Sequence, residues 1–139
     1  MGKSALGWLT VAGWMLALSG PAAAGSPLEI QGALEAEARQ ATPGFAGFSA
    51  KRGEQFFNAR HGGEWSCGTC HTPDPRRPGR HATTGKPITP LAPAANPERF
   101  TNPATVDKWF RRNCKDVLGR ACTPVEKGDV LAWLLFLGK

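Results

Sequence analysis

Three residues near the middle of the chain place two thiols and an imidazole at a spacing that suits cofactor attachment. Cys67 and Cys70 are three positions apart, and His71 follows directly. If the segment starts a helix, both thiols point the same way and can add to the two vinyl groups of one haem. The imidazole then becomes the proximal iron ligand. The string Cys-Gly-Thr-Cys-His therefore predicts one covalently bound haem c with its iron.

The same five residues have two other known uses. A thioredoxin-like redox pair needs a βαβ context, and the chain shows no sustained alternation that would supply strands. A zinc site needs a second ligand pair of suitable spacing, which Cys114 and Cys122 provide poorly. Haem attachment is the favoured interpretation.

The N-terminal segment predicts export. Lys3 precedes an apolar run from Ala5 to Leu18, and a helix-breaking Gly-Pro pair and three alanines follow. This pattern is typical of a secretory signal peptide, and the run is short for a membrane span of about 20 apolar residues. We expect cleavage after Ala24, with a retained anchor as the less favoured alternative. Residues 1–24 are then the signal peptide, and residues 25–139 form one periplasmic domain.

Cleavage would change two counts that bear on the chemistry. Both methionines, Met1 and Met15, would be removed, and with them the thioether that usually completes the iron coordination of small electron-transfer cytochromes. Of the 17 basic residues only Lys3 would be lost, which leaves 16 against 11 acidic residues and a net charge of +5. Binding to nucleic acid is implausible in this compartment. An acidic redox partner or the haem propionates could face arginines such as Arg76, Arg77, Arg80, Arg111 and Arg112.

Capping residues and apolar spacing predict about four main helices. Each begins at a Ser, Thr or Asn cap, and three of these caps are followed by proline. The predicted helices run from Ser26 to about Gln40, from Ser49 to about Ala59, from Asn102 to Gly119 and from Thr123 onward. With no strand signal, the predicted fold class is all-α.

A long proline-rich segment separates the haem motif from the third helix. It runs from Thr72 to Pro103 and contains eight prolines and no helical periodicity. Loops of this length are uncommon in compact domains unless they are functional, and wrapping a cofactor could order one. We expect either an ordered loop around the haem or a disordered segment.

The sixth iron position has several candidate ligands. His61 and His81 could reach the iron, but each is surrounded by polar or flexible residues that are typical of solvated loops. Asn113 differs because it is the polar member of a helix face that carries Val106, Trp109 and Phe110. A buried amide without a partner costs about 1–3 kcal/mol, so Asn113 should bind the iron, act as a helix C-cap or form a hydrogen bond to nearby backbone. A lysine ligand or an open position is also conceivable.

The two remaining cysteines follow this asparagine. With Cys67 and Cys70 used by the haem, an oxidising compartment favours a disulfide between Cys114 and Cys122. The alternative is a pair of free or metal-binding thiols. A disulfide here would brace the turn beside Asn113.

Several further motifs accompany the haem-attachment string. They are Ser66 to His71, Thr84 to Lys86, Pro90 to Pro93, Arg99 to Thr101, Lys108-Trp109, Arg112 to Cys114, Gly119-Arg120, Cys122 to Pro124, Glu126-Lys127 and Leu131 to Leu134. Together they resemble the sphaeroides haem protein family of oxygen-binding monohaem cytochromes c, a variant of the class I cytochrome c fold. The resemblance covers roughly residues 47–137. It implies a helical domain around one covalent haem, with a long Pro-rich loop.

The resemblance also implies roles for particular residues. The family's distal iron ligand is the asparagine before the first disulfide cysteine, which maps to Asn113, and its disulfide maps to Cys114 and Cys122. A related cytochrome type has histidine at this position, so the chain resembles the asparagine branch. The implied electron donors are a dihaem cytochrome c and a membrane cytochrome b561.

Three functions remain open from the sequence. An amide oxygen is a hard, weak donor that suits ferric better than ferrous iron, so reduction should release Asn113 and open a site for O₂, NO or CO. A simple electron-transfer cytochrome with a permanent His61 or His81 ligand is the alternative. A disulfide-stabilised binding module without haem is the third. Enzymatic reduction of O₂ or NO would need proton donors that the sequence does not identify.

Overall fold

The computed structural model describes residues 1–2 and 25–139, so the predicted signal peptide lies almost entirely outside the described residues. The described residues form five helices and two short strands. In chain order these are α1 (Pro27–Ala41), α2 (Ala50–Asn58), α3 (Cys67–His71), β1 (Gly79–Arg80), β2 (Pro87–Ile88), α4 (Pro103–Leu118) and α5 (Pro124–Phe136). The four main helices predicted from the sequence are confirmed, and α3 is the helical turn of the haem motif. Within the described ranges, no helix is long and apolar enough to cross a bilayer.

Local capping explains where the main helices begin. The Thr123 hydroxyl accepts a hydrogen bond from the Glu126 amide, and the Glu126 carboxylate accepts one from the Thr123 amide at 2.7 Å. Ser26 and Glu29 form the same capping box at the start of α1. The side chains of the caps of α2 and α4, Ser49 and Asn102, each accept one backbone amide. These bonds satisfy amides that the first helical turn would otherwise leave unpaired.

The core lies where α5 packs against α1 and α2. The rings of Phe57 on α2 and Trp133 on α5 are 4.9 Å apart between centroids, and both side chains are buried. Ile30 and Leu34 on α1 meet Leu131 on the other side of α5. Burial of these large side chains holds the three helices together, at about 1.5–3 kcal/mol for each.

A buried carboxylate fixes the start of α2 against α5. The Asp129 side chain is only 6% exposed and accepts hydrogen bonds from the Ser49 amide at 2.6 Å and from Arg52 Nε at 2.7 Å. Arg52 Nη2 donates a further bond to Asp129 and one to the Gly47 carbonyl. The buried charge is therefore fully paired, as burial of a carboxylate requires.

The proline-rich segment is an ordered loop. The amides of Leu91 and Ala92 both donate to the Pro75 carbonyl, at 2.9 and 3.0 Å, so the loop folds back on itself. The expectation that the chain has no strands is wrong in one detail, since β1 and β2 form an antiparallel pair with Gly79 opposite Ile88. Two-residue strands are too short to show the alternation that identifies a strand in a sequence.

The predicted apolar face of α4 needs one correction. Val106, Phe110, Asn113 and Val117 are partly buried, but Trp109 is 45% exposed. Two cations lie over the indole, with its ring centroid 5.7 Å from Lys108 Nζ and 5.2 Å from Arg112 Cζ. The four partly buried residues follow one another at steps of four, three and four and form the buried stripe of α4. The Trp109 side chain lies at the edge of this stripe.

Candidate haem-binding site

The helical turn α3 brings the three predicted attachment residues together. Ser66 caps the turn, because its hydroxyl accepts from the Thr69 amide at 3.1 Å while its own amide donates to Thr69 Oγ1 at 2.9 Å. This reciprocal pair starts a helix that places Cys67, Cys70 and His71 within five residues. A turn this short has little helical stability of its own, so capping and packing against α2 must hold it.

Burial disfavours the thiolate form of Cys67 in α3. Cys67 and Cys70 are unpaired and partly buried, and Cys67 packs against the core around Phe57. Burial, the largest cause, raises the pKa of the Cys67 thiol to about 11. Redox-active Cys-x-x-Cys pairs show the opposite shift, since catalysis needs a thiolate at neutral pH. The environment of Cys67 therefore disfavours the thioredoxin-like interpretation.

His71 is a partly buried imidazole whose Nδ1 atom is shielded from solvent. Burial lowers its pKa to about 4, and the positive charge of Arg99 lowers it further in the same direction. The buried Nδ1 atom has no hydrogen-bond partner among the described residues. Neutral imidazole is the form that ligates metal, and an unpartnered buried nitrogen is unfavourable unless something binds the ring. Two thiols and such an imidazole fit the donor set of haem c.

Arg99 is a site residue that spacing and periodicity did not identify. The guanidinium is half-buried and donates to the Pro90 carbonyl at 2.9 Å and to both Thr89 oxygens at 2.9 and 3.0 Å. No carboxylate pairs with it among the described residues, and its charge is felt at His71. This fixed cation disfavours a positive charge on the His71 imidazole. Only the family motif Arg99 to Thr101 marked this position, because the loop that brings it to α3 is non-local.

The hairpin of the proline-rich loop packs directly on the attachment turn. The Ala82 amide donates to Cys70 Sγ at 3.3 Å. Gly79 lies so close to α3 that a Cβ atom there would overlap the Cys70 carbonyl. This part of the loop therefore covers the Cys70 side of the site.

The other two histidines lie in exposed turns. His61 Nε2 is 2.8 Å from the Phe56 carbonyl, and its ring packs on the Phe56 ring with centroids 4.3 Å apart. His81 Nδ1 accepts from the amides of Thr83 and Thr84, both at 3.2 Å. Each histidine thus stabilises its own turn, as expected for solvated loop residues.

Asn113 and the disulfide lie near the end of α4. Asn113 is partly buried and sits inside the helix, so it is not the C-cap; Gly119 takes that role with a φ of 71°. The next residue, Cys114, is bonded to Cys122 with a Cα–Cα distance of 5.6 Å, and both cysteines are buried. This bond ties the helix of Asn113 to the residue just before the Thr123 cap of α5.

Replacing Cys114 and Cys122 together with serine is expected to lower the free energy of unfolding of the holoprotein by about 2–3 kcal/mol. The bond closes a loop across a separation of eight residues. Without it the unfolded chain has more conformational entropy, which stabilises the unfolded state. Guanidinium unfolding followed by circular dichroism measures the change. An unchanged midpoint would show that the disulfide does not brace α4.

The chain is similar to known proteins over most of its length. The family described as a domain of unknown function, DUF1924, matches residues 43–134. The cytochrome c-type protein SHP of Cereibacter sphaeroides is 48% identical over 123 residues, which cover 84% of this chain and 90% of that protein. Cytochrome c'' of Methylophilus methylotrophus is 40% identical over 102 residues, which cover 70% and 71%.

Two solved structures have the same fold. Oxidised SHP, described as an oxygen-binding cytochrome c, matches with a TM-score of 0.70 and 46% identity, over 79% of this chain and 96% of that one. The crystal structure of oxidised cytochrome c'' from Methylophilus methylotrophus also gives a TM-score of 0.70, with 36% identity, over 78% and 92%. The helical architecture is therefore that of c-type cytochromes.

Proposed function

This chain belongs to the family of monohaem c-type cytochromes that includes SHP and cytochrome c'', and we propose that it accepts an electron and then binds a diatomic gas where Asn113 has left the iron. The cofactor is covalently bound haem c, which supplies a one-electron couple and an iron with two axial positions. Cys67 and Cys70 would hold it through thioethers, and His71 would ligate its iron.

Asn113 is the proposed ligand of the second axial position in the oxidised protein. Residues 25–139 contain no methionine, so the usual thioether is not available there. His61 and His81 are exposed and engaged in their own turns. Asn113 instead lies in the partly buried stripe of α4, where a carboxamide needs a partner.

The chemistry of the amide makes this ligand labile. A neutral oxygen donor binds ferric iron better than the softer ferrous iron, so Asn113 should withdraw on reduction. The partly buried Phe110 and Val117 lie on the same stripe and would keep the vacated position apolar. The released amide N–H could then donate a hydrogen bond to O₂ or NO. The description of SHP as oxygen-binding supports this assignment.

The proposal includes a location and partners. Cleavage after Ala24 would release a domain of residues 25–139 into the periplasm. The family resemblance points to a dihaem cytochrome c and a membrane cytochrome b561 as electron donors. Catalytic turnover of the bound gas is not part of the proposal.

Absorption spectra of the oxidised and reduced holoprotein, with and without CO, test the role of Asn113. The wild-type protein should be six-coordinate when oxidised and five-coordinate when reduced, and CO should bind only to the reduced form. Asn113→Ala should remove most of the six-coordinate signal of the oxidised protein while leaving the reduced and CO spectra unchanged. His61→Ala and His81→Ala are the matched controls and should alter none of these spectra.

Two results would contradict the proposal. A reduced wild-type protein that stays six-coordinate and low-spin without added ligand would show that the ligand is permanent. An oxidised Asn113→Ala spectrum identical to wild type, together with a change in either histidine variant, would assign the position to that histidine and identify a simple electron-transfer cytochrome.

A further inference from the structure

We propose that the basic hairpin, residues 74–88, is the docking surface for an acidic redox protein that delivers electrons beside the Cys70 attachment point. The inference rests on the proposed electron-accepting role and adds the place and chemistry of the partner. It is carried by the distribution of charge, by the contact of the hairpin with α3 and by the internal order of the hairpin.

The excess positive charge of residues 25–139 is concentrated in two segments. The basic hairpin has four basic residues and one acidic residue, and α4 has four basic and two acidic residues. All other residues in this range balance, with eight basic against eight acidic. The net positive charge of residues 25–139 therefore comes from the basic hairpin and α4. A surface patch of one sign of charge attracts a partner of opposite charge.

The cations of the basic hairpin are exposed and only partly neutralised. Asp74 is shared between Arg76 at 2.8 Å and Arg77 at 3.6 Å, and the Arg77 side chain is 79% exposed. Within the described residues no carboxylate pairs with Arg80 or Lys86. The Arg80 guanidinium instead donates a hydrogen bond from Nη1 to the Gly85 carbonyl at 2.6 Å. One carboxylate thus faces four cations on this surface.

This charged surface is in direct contact with the covalent attachment point. The hydrogen bond from the Ala82 amide to Cys70 Sγ joins the tip of the hairpin to one of the two thioether sulfurs. The close approach of Gly79 to the Cys70 carbonyl holds the first strand against α3. A partner bound to the hairpin would therefore lie on the Cys70 side of the site.

The hairpin is already ordered for binding. The His81 amide donates to the Lys86 carbonyl at 2.9 Å, and the Gly85 amide donates to the His81 carbonyl at 2.9 Å. The two amides that bond to His81 Nδ1 close the turn between the strands. Since little backbone freedom is left to lose, docking here costs less conformational entropy than docking on a mobile basic loop.

The basic residues of α4 are less suited to this role. Arg111 pairs with Asp107 at 3.3 Å, and Lys108 and Arg112 lie over the Trp109 ring. These contacts already use three of its four cations. The hairpin carries the larger net charge, +3 from four basic residues and one acidic residue against +2 from four and two in α4, and it also contacts Cys70.

Binding and electron transfer with a flavodoxin, an acidic one-electron protein, test the proposal. The variant Arg77→Gln with Lys86→Gln removes two exposed charges from the hairpin, and Lys51→Gln with Lys139→Gln removes two exposed charges elsewhere. Calorimetry with oxidised flavodoxin and ferric holoprotein measures binding without electron transfer. Stopped-flow spectroscopy follows one electron from flavodoxin hydroquinone to the ferric haem, leaving flavin semiquinone and ferrous haem.

At low ionic strength the hairpin variant should bind flavodoxin about tenfold more weakly and be reduced about tenfold more slowly, while the control variant stays within about twofold of wild type. High salt should remove the difference. Equal effects in both variants would overturn the proposal, because the net charge alone would then explain them. Phosphatidylserine vesicles that bind the wild type but not the hairpin variant, with flavodoxin binding unchanged, would assign the surface to a membrane and also overturn it.

The experiment separates this inference from the proposed function. Dithionite reduction and CO spectra report the behaviour of Asn113, and neither hairpin substitution should change them. Wild-type spectra that show no change of coordination on reduction would contradict the role of Asn113. Binding and reduction rates that do not depend on the hairpin charges would contradict the docking surface.

Discussion

Replacing Cys67 and Cys70 together with serine is expected to give a protein without covalent haem and without the native fold. The two thiols are the proposed attachment groups, and the buried Nδ1 atom of His71, the residue after Cys70, has no hydrogen-bond partner among the described residues. Loss of the haem removes a large apolar group from a small domain, for which each buried side chain already contributes about 1.5–3 kcal/mol. Haem staining after denaturing electrophoresis should be negative, and far-ultraviolet circular dichroism should show reduced helix content.

The matched control exchanges the other cysteine pair. Cys114→Ser with Cys122→Ser removes the same number of thiols but leaves α3 intact, so haem staining should remain positive. Retention of covalent haem in the Cys67 and Cys70 variant would disprove the assignment of the attachment residues. A native helix content without haem would show instead that the polypeptide core is sufficient for folding.

Gly53→Ala is expected to destabilise the protein by about 3 kcal/mol or more. Gly53 lies where α2 crosses α5, and a Cβ atom at this position would overlap the carbonyl carbon and oxygen of Asp129. The obstacle is backbone rather than a flexible side chain, so the helices must move apart and disturb the Phe57–Trp133 contact. Thermal or denaturant unfolding of the holoprotein measures the loss.

Gly32 provides the control for this substitution. It lies in α1, and nothing lies within 4 Å of a Cβ atom built there. Gly32→Ala should therefore stabilise the protein by about 0.5–1 kcal/mol through the lower entropy of the unfolded chain. Equal changes at Gly53 and Gly32 would show that the helix crossing is not close-packed.

The features that were predictable from the sequence depend on short-range chemistry. A cap such as Ser26 or Thr123 acts on an amide three residues away, so the starts of the main helices follow from the residues themselves. The attachment turn is equally local, since Cys67, Cys70 and His71 share five consecutive residues. Tertiary packing fixes where these helix starts and the attachment turn lie in the fold, but it does not change their local backbone conformation.

The features that were missed depend on residues distant in the sequence. Arg99 reaches the neighbourhood of His71 only because the loop folds back onto the Pro75 carbonyl. Phe100 has a φ of 59°, which a bulky side chain rarely adopts and which nothing in the local sequence predicts. Helical spacing placed Trp109 near the buried stripe of α4 but could not show that two neighbouring cations hold its ring at the surface.

The way α4 is attached has a consequence for the gating of the iron. Among the described elements, the extensive helix contacts are those of α5 with α1 and α2 and of α2 with α3, and α4 takes part in none of them. The disulfide and a few side chains such as Phe110 anchor it instead. Native proteins open in cooperative units of unequal stability, and the disulfide would keep α4 attached during such a local opening. Release of Asn113 would then be a subglobal fluctuation, and the domain could expose its iron without melting its core.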